Sequence, residues 1–167
     1  TQLLSKSPYK YEVIEHNDKP GLGAARERML DSFNEDYLYF LDSDDYIEPF
    51  CIEYLVKNAI EYSADIVVGS YREVDPKYEA LKDVVFPNKI IFNSEDLQNF
   101  CYVEKGFYPP YSWNKLISSA FLKHNEIHFP KVSYGEDSFV SFLEVQLIKK
   151  IVFVPEITLN YLIRENS

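Results

Sequence analysis

The residues best able to do chemistry in this 167-residue chain fall in two groups, Asp42, Ser43, Asp44 and Asp45 in the middle and Glu136 with Asp137 later. Three carboxylates within four residues repel one another unless a cation or hydrogen-bond donors compensate, and oxygen-only ligation favours magnesium, manganese or calcium over zinc. An acidic turn capping the helix that begins near Pro49 would use the same residue types. A helix-loop-helix calcium site fits Asp42, Asp44 and Glu53 as its first, third and twelfth places. It fails at Tyr46 and Ile47, which stand where an oxygen ligand and a glycine are required. A phosphatase with an aspartyl nucleophile also opens on an apolar strand followed by Asp-x-Asp. Here Asp45 and Tyr46 replace its usual small residues, so hydrolysis of phosphoesters is the alternative reading.

Glu136 and Asp137 precede the apolar positions Phe139, Val140, Phe142, Leu143, Val145 and Leu147, so they occupy the first turn of a helix, where its dipole favours negative charge. Two cations stand out as anion partners: Arg26, one turn into a helix opened by Gly21-Leu22-Gly23, and Arg164 near the end. A glycine-rich helix start can receive phosphate, although a solvated Arg26 on an exposed helix face is the plainer reading of the pattern. Phe107, Tyr108, Tyr111 and Trp113 offer either a platform for a sugar ring or ordinary aromatic packing. His16, His124 and His128 have no metal-type spacing, and Cys51 and Cys101 read as buried free thiols.

These groups need a scaffold. Tyr37 to Leu41 form an apolar run without polar alternation, the pattern of a strand buried on both faces, and the acids fall at its carboxyl end, where open α/β sheets bind ligands. Residues 11–16, YEVIEH, read as a preceding strand; Leu22, Ala25, Met29 and Phe33 mark an amphipathic helix after it. A helix over 49–62 and a strand over 65–71 continue the alternation, which predicts a mainly parallel α/β sheet flanked by helices. Residues 73–93 read as an irregular excursion, 94–100 as a short helix capped by Asn93 or Ser94, and 151–166 as two strand-like runs.

Composition narrows the field. A hydrophobic content of 46% with 26% charged residues describes a globular domain, and a net charge of -10 argues against nucleic acid as a partner. Neither a membrane-length apolar run nor a signal-like start is seen, from which a cytoplasmic location is expected.

Together the segments NDKPGLGAARE at 17–27, YLYFLDSDD at 37–45, WNKLI at 113–117, FPKVSYGEDSF at 129–139 and YLIRENS at 161–167 resemble the family 2 glycosyltransferases. The resemblance implies a GT-A-like nucleotide-sugar domain over 1–167 and a metal-dependent, inverting transfer. The sugar would pass from a nucleoside diphosphate to a saccharide or lipid-linked saccharide hydroxyl. It implies Asp44, with Asp42, as the ligands of Mn²⁺ or Mg²⁺, and Asp137 as general base with Glu136 as the alternative. Asn17, Arg26, Asp42, Asp45 and Arg164 are implied to contact the donor, and Trp113 and Lys115 the substrate. A lipid-linked acceptor would bring the protein to the inner face of a membrane. Family members begin with a further strand, helix and strand, so the domain is expected to be incomplete at its N-terminus, either as part of a longer protein or as a non-catalytic sugar- or metal-binding remnant.

Overall fold

The structure is a computed structural model that describes residues 8–15, 21–132 and 134–164. Its elements in chain order are α1 (Leu22–Ser32), β1 (Tyr37–Tyr39), β2 (Tyr46–Ile47), α2 (Cys51–Tyr62), β3 (Ile66–Val74), β4 (Ala80–Val84), β5 (Lys89–Ile91), α3 (Ser94–Tyr102), β6 (Lys115–Ser118), α4 (Ser119–His124), α5 (Glu136–Leu147) and β7 (Ile151–Leu162). Seven strands make one sheet with the path β1-β6-β3-β7-β2; β4 pairs with β3 and β5 with β7.

The middle of the sheet is buried on both faces, which explains the unbroken apolar run in β3. Val67, Leu116, Val152 and Val154 point to one side, against Cys51, Leu55 and Ala59 of α2. Ile66, Val68, Ile117, Ile151 and Phe153 point to the other, into a larger core with Leu97, Phe100, Val140 and Val145 from α3 and α5. Neighbouring strand residues thus feed opposite layers, the signature of a helix-sheet-helix sandwich. Cys51 is buried and Cys101 half-buried, both as free thiols.

The α/β architecture is the expected one, but the sheet is mixed. Among the described residues β3 and β7 form the parallel strand pair, from Ile66 opposite Ile151 to Val74 opposite Leu162. The pairs β1–β6, β3–β6, β3–β4, β2–β7 and β5–β7 are antiparallel. Alternation of strands and helices misled here because β1 and β3 are not neighbours; β6, from much later in the chain, lies between them.

Four further expectations change. Residues 11–15 carry no strand: their side chains are largely exposed and no ladder holds them, so β-propensity alone does not suffice. The strand at 37 spans three half-buried residues with β6 on one side, while Phe40 continues as a single parallel bridge to Trp113 and Leu41 is exposed. The region 73–93 is not irregular: β3 runs on to Val74, turns back as β4, and β5 joins β7. The two closing strand-like runs are one strand, with the register shifting between Gly69–Val154 and Ser70–Ile157. Pro155, unable to donate to a ladder, sits in that irregularity. No helix among the described residues is long and apolar enough to cross a membrane.

Candidate active site

Helix α1 is not buried along its apolar face. Leu22 and Met29 are exposed, whereas Gly23 and Arg26 are buried, with Arg26 only 2% exposed. The reason is a close approach: a Cβ on Gly23 would lie 2.6 Å from the Pro130 carbonyl and 3.0 Å from Cβ of Glu136. Glycine therefore lets α1 pack against the start of α5, and Arg26, three residues on, reaches across it.

The guanidinium of Arg26 ties the two acidic groups together. It donates to Oδ1 of Asp137 through Nη1 and to Oδ1 of Asp42 through Nη2 at 3.3 Å, with Oε1 of Glu136 at 3.9 Å. Its cation lies over the rings of Phe40 (5.5 Å) and Phe129 (5.8 Å), which themselves meet edge to face. The solvated alternative for Arg26 is thus excluded. Asp137 owes its position to Gly135, whose φ of 86° supplies the left-handed residue before α5.

Beside this pair the acidic turn closes through the Asp45 amide, which donates to the Asp42 carbonyl at 3.2 Å. Asp44 receives Nη2 of Arg164 at 2.6 Å. Asp45 turns inward instead: its Oδ1 accepts the Leu162 amide at 2.9 Å, and its buried Oδ2 has no partner among the described residues. Burial pushes the Asp45 carboxyl up to about 6, against the pull of the Leu162 amide. Burial also raises Asp42, with Arg26 opposing. Arg26, Met29, Asp42, Ser43, Asp44 and Arg164 line a cleft of about 630 Å³. Two arginines thus hold carboxylates on one wall of an open groove, a surface suited to a ligand carrying both phosphate and hydroxyl groups.

Other expected residues lie elsewhere. Trp113 is stacked between Tyr111 (3.6 Å) and Tyr161 (4.9 Å) with Tyr71 at its edge, so protein rings occupy both faces and packing is its role here. Lys115 is wholly buried, bonded to Glu144 at 2.7 Å and Ser141 at 3.1 Å, beyond reach of a substrate in the cleft. His124 ends α4, and Nδ1 of the exposed His128 lies 2.7 Å from Glu27; Asn17 and His16 fall outside the described residues. Ser112 was not foreseen: buried, it donates to Oδ1 of Asp137 at 2.6 Å. Its only sequence signal is its place just before Trp113-Asn114-Lys115.

Among the described residues no group of three or more His, Cys, Asp or Glu side chains is arranged to hold a metal ion. Asp42 and Asp44 nevertheless supply two oxygen donors on the cleft, a set that fits a magnesium-like ion, which takes one or two carboxylates and completes its shell with phosphate and water.

Known proteins resemble this chain in sequence and in fold. Over 98% of its length the chain is 27% identical to glycosyltransferase GlyA of Streptococcus pneumoniae, covering 24% of that protein. Over 88% it is 26% identical to a processive diacylglycerol beta-glycosyltransferase of Mycoplasma pneumoniae, covering 45% of it. The chain therefore spans about a quarter to a half of these relatives. The S. aureus TarS 1-349 structure, solved in complex with UDP-GlcNAc, superimposes over 88% of this chain and 40% of its own with a TM-score of 0.70 at 20% identity, which establishes the GT-A-like fold. The profile of the family described as glycosyl transferase family 2 matches residues 2–115, which include Arg26 and the acidic turn. The chain belongs to glycosyl transferase family 2.

Proposed function

We propose that this domain carries out metal-dependent, inverting sugar transfer from a nucleoside-diphosphate sugar to a hydroxyl of a saccharide or lipid-linked saccharide. The observation that carries this reading is the bridge made by Arg26, which holds Asp42, on the cleft wall, and the part-exposed Asp137 on one guanidinium although 95 residues separate them in sequence. A donor site and a base are needed within one sugar ring of each other, and the bridge supplies that proximity.

In this scheme the diphosphate lies along the wall of Asp42, Asp44, Arg26 and Arg164. Asp44 and Asp42 would hold Mn²⁺ or Mg²⁺, which when bound supplies positive charge against the departing diphosphate. Arg164 and Arg26 donate to phosphate oxygens. Asp137 accepts the proton of the acceptor hydroxyl as that oxygen bonds to the anomeric carbon and the bond to the diphosphate oxygen breaks on the opposite face, inverting the configuration. Glu136, beside it, binds an acceptor hydroxyl. TarS binding of UDP-GlcNAc supports a nucleotide-sugar donor, and the family supports sugar transfer over phosphoester hydrolysis. A lipid-linked acceptor would draw the protein to a membrane surface.

The test is a panel of UDP-, GDP- and TDP-sugars assayed for nucleoside-diphosphate release with Mn²⁺ or Mg²⁺ and with chelator. Asp44→Ala is expected to abolish the metal-dependent turnover, and Asp137→Asn to lower transfer by about 10²- to 10⁴-fold with nucleotide binding retained. Near-normal, metal-independent turnover in Asp44→Ala would remove the metal assignment. Release of phosphate from simple phosphoesters would favour the hydrolase.

A further inference from the structure

The buried segment Ser112–Lys115 makes contacts that neither the cleft nor the core explains by itself. Asn114 fastens it to the sheet: Nδ2 donates to the carbonyls of Gly69 (2.6 Å) and Ser70 (3.1 Å), while Oδ1 accepts from Thr158 (2.7 Å) and Tyr39 (3.0 Å). A φ of 55° at Asn114 turns the chain there, and Ser112 before it and Lys115 after it both bond to α5. Ser112 donates to Asp137 in the first turn; Lys115 donates to Ser141 and Glu144 in the second and third. Asp137, Ser141 and Glu144 follow one another at spacings of four and three along one helix face. Tyr108 donates to the same Glu144 oxygen at 2.6 Å from the other side.

We infer that Ser112 is a positioning residue for Asp137, set in place by a sheet-anchored bracket whose second arm is the Lys115–Glu144 pair. This inference rests on the proposed base role of Asp137. Both Ser112 and Arg26 bond to Oδ1 of Asp137, and no hydrogen bond from a described residue is made to Oδ2. The bracket therefore fixes which oxygen faces the acceptor: Oδ1 is occupied by protein donors and Oδ2 takes the proton. A carboxylate free to rotate would spend part of its time with the wrong oxygen or the wrong lone pair toward the hydroxyl, and misplacement by about an ångström suffices to cost about a hundredfold in rate. The Lys115–Glu144 pair keeps α5 from sliding along its axis, so the height of Asp137 beside Arg26 is set by the sheet.

The experiment is steady-state turnover of the best nucleotide sugar from the panel above, in the full-length protein, with nucleotide affinity measured by calorimetry. Ser112→Ala is expected to lower kcat by about tenfold to a hundredfold with the donor KM within about twofold, and Ser112→Thr, which keeps the hydroxyl, to recover most of that loss. An unchanged kcat in Ser112→Ala, or a raised KM at constant kcat, overturns the positioning role. So does a Ser112→Thr variant as slow as Ser112→Ala. Asp137→Asn separates the two ideas: if it turns over normally the base reading itself falls, whereas an inactive Asp137→Asn beside a fully active Ser112→Ala leaves the base and removes the bracket.

Discussion

Two buried cations, Arg26 and Lys115, each meet acids of α5, and they differ in what surrounds those acids. Lys115 and Glu144 are both wholly enclosed, and burial presses the lysine toward its neutral form while Glu144 opposes it. Arg26 is as buried as Lys115, but its partners Asp42 and Asp137 are 31% and 21% exposed at the side chain. The first pair cannot change partners without opening the core. In the second, water reaches the acids and the guanidinium can exchange a carboxylate for another anion, and a binding site needs that exchange. Similar ion pairs thus serve as a rivet in one place and as an adjustable clasp in the other, and the exposure of the acid decides which.

Breaking the rivet should have the largest effect. Lys115→Met alone strands the Glu144 carboxylate in the core and is expected to destabilise the fold by about 3–5 kcal/mol, read by urea or thermal unfolding. Replacing both partners by apolar residues of similar volume should restore most of that loss; a double variant no better than the single would show that the pair is not acting as a unit. Arg26→Met is expected to cost less stability, about 1–3 kcal/mol, because water can reach the acids it leaves, yet to weaken nucleotide affinity measurably in calorimetry. Equal stability losses for Lys115→Met and Arg26→Met would erase the distinction.

The smallest effect concerns Asp45, whose folded carboxyl is pushed up to about 6 by burial, from an ordinary value of 3.8. Between those values the native state holds the extra proton, so this group's contribution to stability is lost as pH rises from about 4 to about 6. Asp45→Asn keeps an oxygen for the Leu162 amide and should flatten that slope, measured in metal-free buffer. A slope unchanged by Asp45→Asn would mean that another carboxyl governs it.

The parts of the site that were legible in the sequence are those announced by a change of pattern: an apolar run that stops at acids, and acids that open a helix at Gly135. The contact between them was not legible, because Arg26 reads as a partner for a ligand's anion or as a solvated helix arginine until Gly23 is seen to admit the Pro130 carbonyl. The resemblance implies Trp113 and Lys115 as substrate contacts, but a ring with both faces stacked and an ammonium with buried partners belong inside. Strand order failed for a related reason. Hydrophobic periodicity reports how many faces of a strand are covered, not which strand lies beside it, so β6 between β1 and β3 left no local trace.

The long reach of β7 has a consequence for synthesis. Its pairing with β3 joins residues 85 positions apart at Ile66 and Ile151, and its last residues supply the amide of Leu162 to Asp45 and, just beyond, Arg164 to Asp44. A nascent chain released only as far as α5 would carry a half-built sheet and an acidic turn that has Arg26 but still lacks Arg164 and the Leu162 amide. Commitment to the native sheet must therefore wait for nearly the last residue described, which favours a slow, late-closing folding reaction and gives chaperones a defined interval in which to hold this protein.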